Sequence, residues 1–190
     1  LADVWARCVD GAEIKEVMDV LIAWSKIGVQ PDRHQHLWAS TVSRMLQLRA
    51  DASPRQLGKI AYVLAAAAPK VTDPIAYAST VDAVRELGDE LAACLAGSAA
   101  AAQAAPATAA APLATNPEAT AASPAPSGDA VDASREKESA LYNMVAAYRM
   151  LHLQMPMSLQ ALVQQHEGQL LSFGQDLIQQ KVIAARSVSD

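Results

Sequence analysis

At 190 residues the chain suits one ordinary domain or two small ones, and alanine inflates its 52% hydrophobic share while aromatics reach only 4%. A net charge of −5 argues against indiscriminate nucleic-acid binding by the whole chain. No charge-free run of about 18 apolar residues is present to span a membrane.

The opening, with no initiator Met and an apolar stretch of Leu1, Val4, Trp5 and Cys8, reads as a short helix over residues 1 to 9 in an excerpt of a longer protein, from which any targeting peptide would be lost. A helix is predicted from about Glu13 to Ile27, with Ile14, Val17, Met18, Leu21 and Trp24 or Ser25 on one side. Gly28 stands where a helix end wants a left-handed residue, and Pro31 follows. The next helix starts at Asp32, capped by its carboxylate with Gln35 three residues on, and buries Leu37, Trp38, Thr41, Met45, Leu46 and Leu48 to about residue 50.

Ser53-Pro54-Arg55-Gln56 is the clearest helix start: an N-cap, a proline at N1 and a glutamine completing a capping box. That helix carries Leu57, Ile60, Ala61 and Leu64 and stops before Pro69. Asp73-Pro74 opens another, whose Tyr77, Val81, Val84, Leu87, Leu91 and Leu95 keep helical spacing to about Ala96. Residues 97–132 are rich in Ala, Pro, Thr and Ser and read as a disordered linker or surface insertion. Helical periodicity returns for residues 133–190, predicted to form a further helical pair. No segment alternates with period 2, so no sheet is expected.

The helices echo one another. At an offset of 40, Val17/Leu57, Val20/Ile60, Ala23/Val63 and Trp24/Leu64 match apolar for apolar. At 124, Val17/Leu141, Leu21/Val145, Ala23/Ala147 and Trp24/Tyr148 do the same, and at 125 Pro31/Pro156, Leu37/Leu162, Met45/Leu170 and Leu46/Leu171 follow. Such periods mark helical pairs that bury their faces only by stacking. The predicted fold is all-α, an α-solenoid of degenerate helical-pair repeats of about 40 residues. Residues 1–96 hold two pairs and a partial N-terminal helix.

Ala23-Trp24-Ser25-Lys26-Ile27-Gly28-Val29-Gln30-Pro31-Asp32, then Leu37-Trp38-Ala39-Ser40, then Ser53-Pro54-Arg55-Gln56-Leu57 with its alanine-rich helix, resemble octotricopeptide repeats. These are the helical-pair repeats of green-algal organelle RNA-binding proteins, related to the FAST-kinase-like mitochondrial RNA-binding proteins. The resemblance covers residues 13–96 and, more loosely, 134–182. The family's proline-rich turn is reduced to Pro31-Asp32, and Leu64 stands in the second unit in place of the aromatic. The resemblance implies RNA processing, stability or translation in a mitochondrion or chloroplast. A related alternative is a structural scaffold subunit of a large organellar assembly such as the mitochondrial ribosome, contacting rRNA, protein or both.

Charge is uneven. Residues 31–70 set six basic side chains against two acidic ones, a balance of +4, while residues 71–96 have one against five, a balance of −4. The basic block suits an anion-facing patch, and equally an ordinary solvated face. Candidate RNA contacts are Arg33, Arg44, Arg49, Arg55 and Lys59, with Arg33 and Arg44 three turns apart and Arg55 and Lys59 at i, i+4. Trp24, Trp38, Tyr62 and Tyr148 are candidates to stack on bases, though their spacing also suits a core. His34-Gln35-His36 points its rings apart and has no partner to complete a metal site, and His166-Glu167 are adjacent rather than facing. Cys8 and Cys94 match no metal or redox spacing and read as reduced packing residues. No nucleotide-binding or hydrolase motif is present, so neither catalytic residue, cofactor, metal nor small-molecule substrate is expected.

Overall fold

Every regular element among the described residues is a helix. The computed structural model describes residues 2–27, 34–104 and 128–187, and among these there is no strand. The elements are α1 (Ala2–Cys8), α2 (Ile14–Ile27), α3 (Gln35–Gln47), α4 (Pro54–Ala67), α5 (Pro74–Ala104), α6 (Gly128–Met150), α7 (Met157–Gln165) and α8 (Glu167–Ser187). Short 3₁₀ turns at Val9–Gly11, Arg49–Asp51 and Ala68–Lys70 finish α1, α3 and α4.

The caps follow the local chemistry. Ser53 Oγ accepts from the Gln56 amide at 3.3 Å, and the Gln56 side chain accepts from the Ser53 amide at 2.8 Å, a complete capping box at the start of α4. Asp73 accepts from the Ala76 amide at 2.8 Å and opens α5. At the end of α6, His152 adopts φ 53°, and the Leu153 amide reaches back to the Tyr148 carbonyl at 2.9 Å. Those bonds satisfy carbonyls that a helix end leaves open, and His152 stands 124 residues after Gly28, the position expected to be left-handed.

Several boundaries differ from expectation. Helix α3 begins at Gln35, and the Gly28, Pro31 and Asp32 devices lie outside the described residues. Helix α5 runs to Ala104 rather than Ala96, because Gly97 to Ala104 contains four consecutive alanines and no proline before Pro106. Helix α6 begins at Gly128, just beyond Pro126, so of the expected linker only residues 105–127 lie outside the described residues. The single helix expected after Pro156 is divided at His166, making three helices of the expected final pair. Backbone bonds from His166 to Leu162 and from Leu170 to His166 persist across that joint, and Gly168, two residues on, is a poor helix former.

Packing sorts the helices into two rows. Helices α2, α4, α6 and α8 each touch the next in their series, and so do α1, α3, α5 and α7. The rows meet chiefly through α4 on α5 and α2 on α3. Helix α4 is the most enclosed, with α2 on one flank, α6 on the other and α5 behind. This explains why Val63, Leu64 and Ile60 are buried while their counterparts Ala23, Trp24 and Val20 on α2 are not fully so. Helices α4 and α6 approach closely where Gly58 lies against the backbone of Ala140. Cys94 packs beside the core as expected, but Cys8 is exposed.

The second row is keyed by hydrogen bonds. The Trp5 indole donates to Thr41 Oγ1 at 2.9 Å, and the Trp38 indole donates to Thr80 Oγ1 at 2.9 Å. Each threonine passes its own hydrogen to a carbonyl four residues back, Leu37 at 2.6 Å and Ala76 at 2.7 Å. Thr41 and Thr80 are both fully buried, and both hydroxyls are satisfied. Trp24 stacks on Trp38, with ring centroids 6.4 Å apart at 27°.

Candidate nucleic-acid interface

Helix α4 turns Leu57, Ile60, Ala61 and Leu64 inward, which leaves Arg55, Lys59, Tyr62 and Ala66 exposed. Their spacing of i, i+4, i+7 and i+11 makes one continuous stripe down the helix. Two cations and a tyrosine that is 43% exposed therefore share a single line. On the neighbouring α6, Arg135 and Tyr142 are both exposed and repeat the i, i+7 spacing of Arg55 and Tyr62.

Between these helices and α8 lies a cleft of about 830 Å³. Arg55 contributes from α4, Asp132, Arg135, Glu136 and Ser139 from α6, and Phe173 and Leu177 from α8. Phe173 meets Tyr142 edge-on, with centroids 5.7 Å apart at 62°. Glu136 accepts a long hydrogen bond of 3.5 Å from Ser53 Oγ. Among the described residues no ion pair joins the cleft's two arginines to its two carboxylates. The cleft thus offers cations, acceptors and an aromatic wall together.

The other basic candidates are placed differently. Arg44 Nε donates to the Ala12 carbonyl at 3.0 Å and its guanidinium reaches Gln47 at 3.2 Å, tying α3 to the turn before α2. Arg49 caps the Leu46 carbonyl and faces Glu86 at 3.7 Å and Glu90 at 3.9 Å on α5, so much of its charge is balanced within the fold. Arg33 lies outside the described residues. The expected cluster of five therefore resolves into Arg55 and Lys59 on an open stripe, and Arg44 and Arg49 in packing roles. Arg135 joins the open set; it lies 80 residues after Arg55, beyond the reach of any local charge count.

Of the aromatic candidates, Trp38 and Tyr148 are buried, Trp24 is half-buried on Trp38, and Tyr62 alone is exposed. The Tyr148 hydroxyl sits against Gly88 with no hydrogen-bond partner. Burial, followed by the nearby Asp89 carboxylate and opposed by Arg85, pushes its pKa up to about 12. A raised pKa in the folded state favours the neutral phenol, so this contribution is intact below the ordinary value of 10.0 and is lost as pH rises through about 12. Tyr148→Phe is expected to leave stability at pH 7 unchanged or slightly higher, since the lost hydroxyl made no bond, and to flatten the loss between pH 10 and 12. Thermal melts across that range check both parts.

No protein-family model matches the chain, and no curated protein or solved structure matches it.

Proposed function

We propose that the chain is a segment of an α-solenoid of octotricopeptide-like repeats that binds single-stranded RNA along the outer face of the α2, α4, α6 and α8 row. It acts in RNA processing, stability or translation in a mitochondrion or chloroplast, as the resemblance implies, and carries no chemistry of its own. The alternation of contacts, each helix touching the next-but-one in sequence, is what stacked helical pairs produce and supports the solenoid reading. The observation that carries the ligand is the stripe of Arg55, Lys59 and Tyr62, continued by Arg135 and Tyr142 on the adjoining helix. Cations track a phosphate backbone, and exposed rings stack on bases without regard to sequence.

Three phosphate contacts on a single strand give a log–log salt slope of about −2, a loss of roughly twentyfold in affinity from 50 to 200 mM salt. Replacing Arg55 and Lys59 together by glutamate is expected to weaken binding to all sequences and to make that slope shallower. Filter binding at several salt concentrations reads both effects. Absent affinity, or a flat salt response, overturns the reading. Arg44 is unsuited to this test, because its bonds to Ala12 and Gln47 make it a packing residue.

A second reading, a scaffold subunit whose partner is protein, is favoured by the net charge of −5 and by the ion pairs that occupy Arg49. A flat salt response would point to it.

A further inference from the structure

We infer that the cleft between α4, α6 and α8 is a slot for one guanine base of the bound strand; this rests on the RNA-binding reading above. Phe173 and Leu177, one turn apart on α8, form an apolar wall, and Tyr142 braces the Phe173 ring edge-on at 5.7 Å. A base stacks on such a wall with little regard to its identity. Identity is read by the opposite lining. Asp132 and Glu136 stand one turn apart on α6, and a carboxylate can accept hydrogen bonds but not donate them.

Acceptors select by what a base edge can donate. Guanine presents two adjacent donors, its ring N1–H and its exocyclic amino group, which fit the two oxygens of one carboxylate. Uracil presents a single N–H between two carbonyls, which a carboxylate repels. Adenine and cytosine present one amino group beside a ring nitrogen that is itself an acceptor. Two carboxylates would repel the phosphates on either side of the base, but Arg55 and Arg135 line the same cleft and offset them. At about 830 Å³ the cleft falls within the range of ordinary small-molecule sites and has room for a nucleotide. None of the four charges is paired with another, and Glu136 carries one long hydrogen bond from Ser53, which leaves acceptor capacity for a ligand.

The test compares two nine-residue RNA strands by fluorescence anisotropy, one all uridine and one with a single central guanosine. The guanosine strand is expected to bind about tenfold more tightly, the scale of one well-made bidentate contact. Asp132→Asn with Glu136→Gln should abolish the difference while leaving affinity for the uridine strand unchanged or higher. If the wild-type protein binds both strands equally, the guanine slot is wrong and the RNA-binding reading stands. If neither strand binds, the RNA-binding reading falls, and a titration with guanosine monophosphate against uridine monophosphate decides the slot by itself. Phe173 is the only phenylalanine, so its ring signals in an NMR spectrum are unambiguous. Their movement with the guanosine nucleotide alone upholds the slot; no movement, or equal movement with both, overturns it.

Discussion

Gly58→Ala is expected to lower the stability of the fold by about 2 kcal/mol, although alanine in place of a mid-helix glycine ordinarily adds about 1 kcal/mol. The reversal follows from what a methyl group would meet. A Cβ at position 58 falls 2.8 Å from the Cα and 2.9 Å from the carbonyl carbon of Ala140, with the carbonyl oxygen nearer still. These are backbone atoms of a neighbouring helix and cannot rotate aside, so α4 and α6 must separate along the most extensive contact in the molecule. Gly88 and Gly11 are built-in controls. A Cβ at Gly88 meets the Tyr148 ring, at 3.0 Å from Cε2 and nearer to its hydroxyl, and the rim of a side chain can shift; a Cβ at Gly11 meets nothing within 4 Å. Urea midpoints are expected in the order Gly58→Ala lowest, Gly88→Ala intermediate, and Gly11→Ala close to wild type. Equal midpoints for the first and last would contradict the close crossing.

Trp38→Ala is expected to cost about 3–5 kcal/mol, the range for emptying a buried aromatic site. Trp38 is only 3% exposed, stacks on Trp24 and bonds Thr80, so its loss loosens α2, α3 and α5 together. The hydrogen bond can be separated from the packing. Trp38→Phe keeps most of the ring and removes the donor, at about 1 kcal/mol beyond the lost volume. Thr80→Val keeps the shape and strands the indole N–H in the core, at about 1–3 kcal/mol. Combining Trp38→Phe with Thr80→Val removes both partners, so the double variant should be more stable than the sum of the single losses implies. Strict additivity in a denaturation series would mean that the bond does not couple the two helices.

What could be seen in advance depended on how local its cause was. The capping box at Ser53 and the Asp73 cap need only three or four neighbouring residues, and both stand as expected. The end of α5 was misplaced because alanine buries little yet propagates a helix well, and only Pro106 interrupts it. The joint at His166 leaves no mark in the sequence, because the apolar spacing runs through it, as the backbone hydrogen bonds also do. Charge density along the chain singled out Arg49 and Arg55 equally. Their fates diverge through Glu86 and Glu90 in one case and through Arg135, Asp132 and Phe173 in the other, all far away in sequence. One further repeat lies in the sequence: Trp38-Ala39-Ser40-Thr41-Val42 recurs as Tyr77-Ala78-Ser79-Thr80-Val81, and it marks the buried threonines of the second row.

The paired bonds from Trp5 to Thr41 and from Trp38 to Thr80 give the stack a direction. In both, the donor belongs to the earlier helix and the acceptor to the later one. Threonine suits the accepting side because it sends its own hydrogen back to its helix, leaving its lone pairs to the newcomer. From α1 through α3 to α5 the hydrogen bonds therefore run one way, each indole answered by a threonine later in the chain.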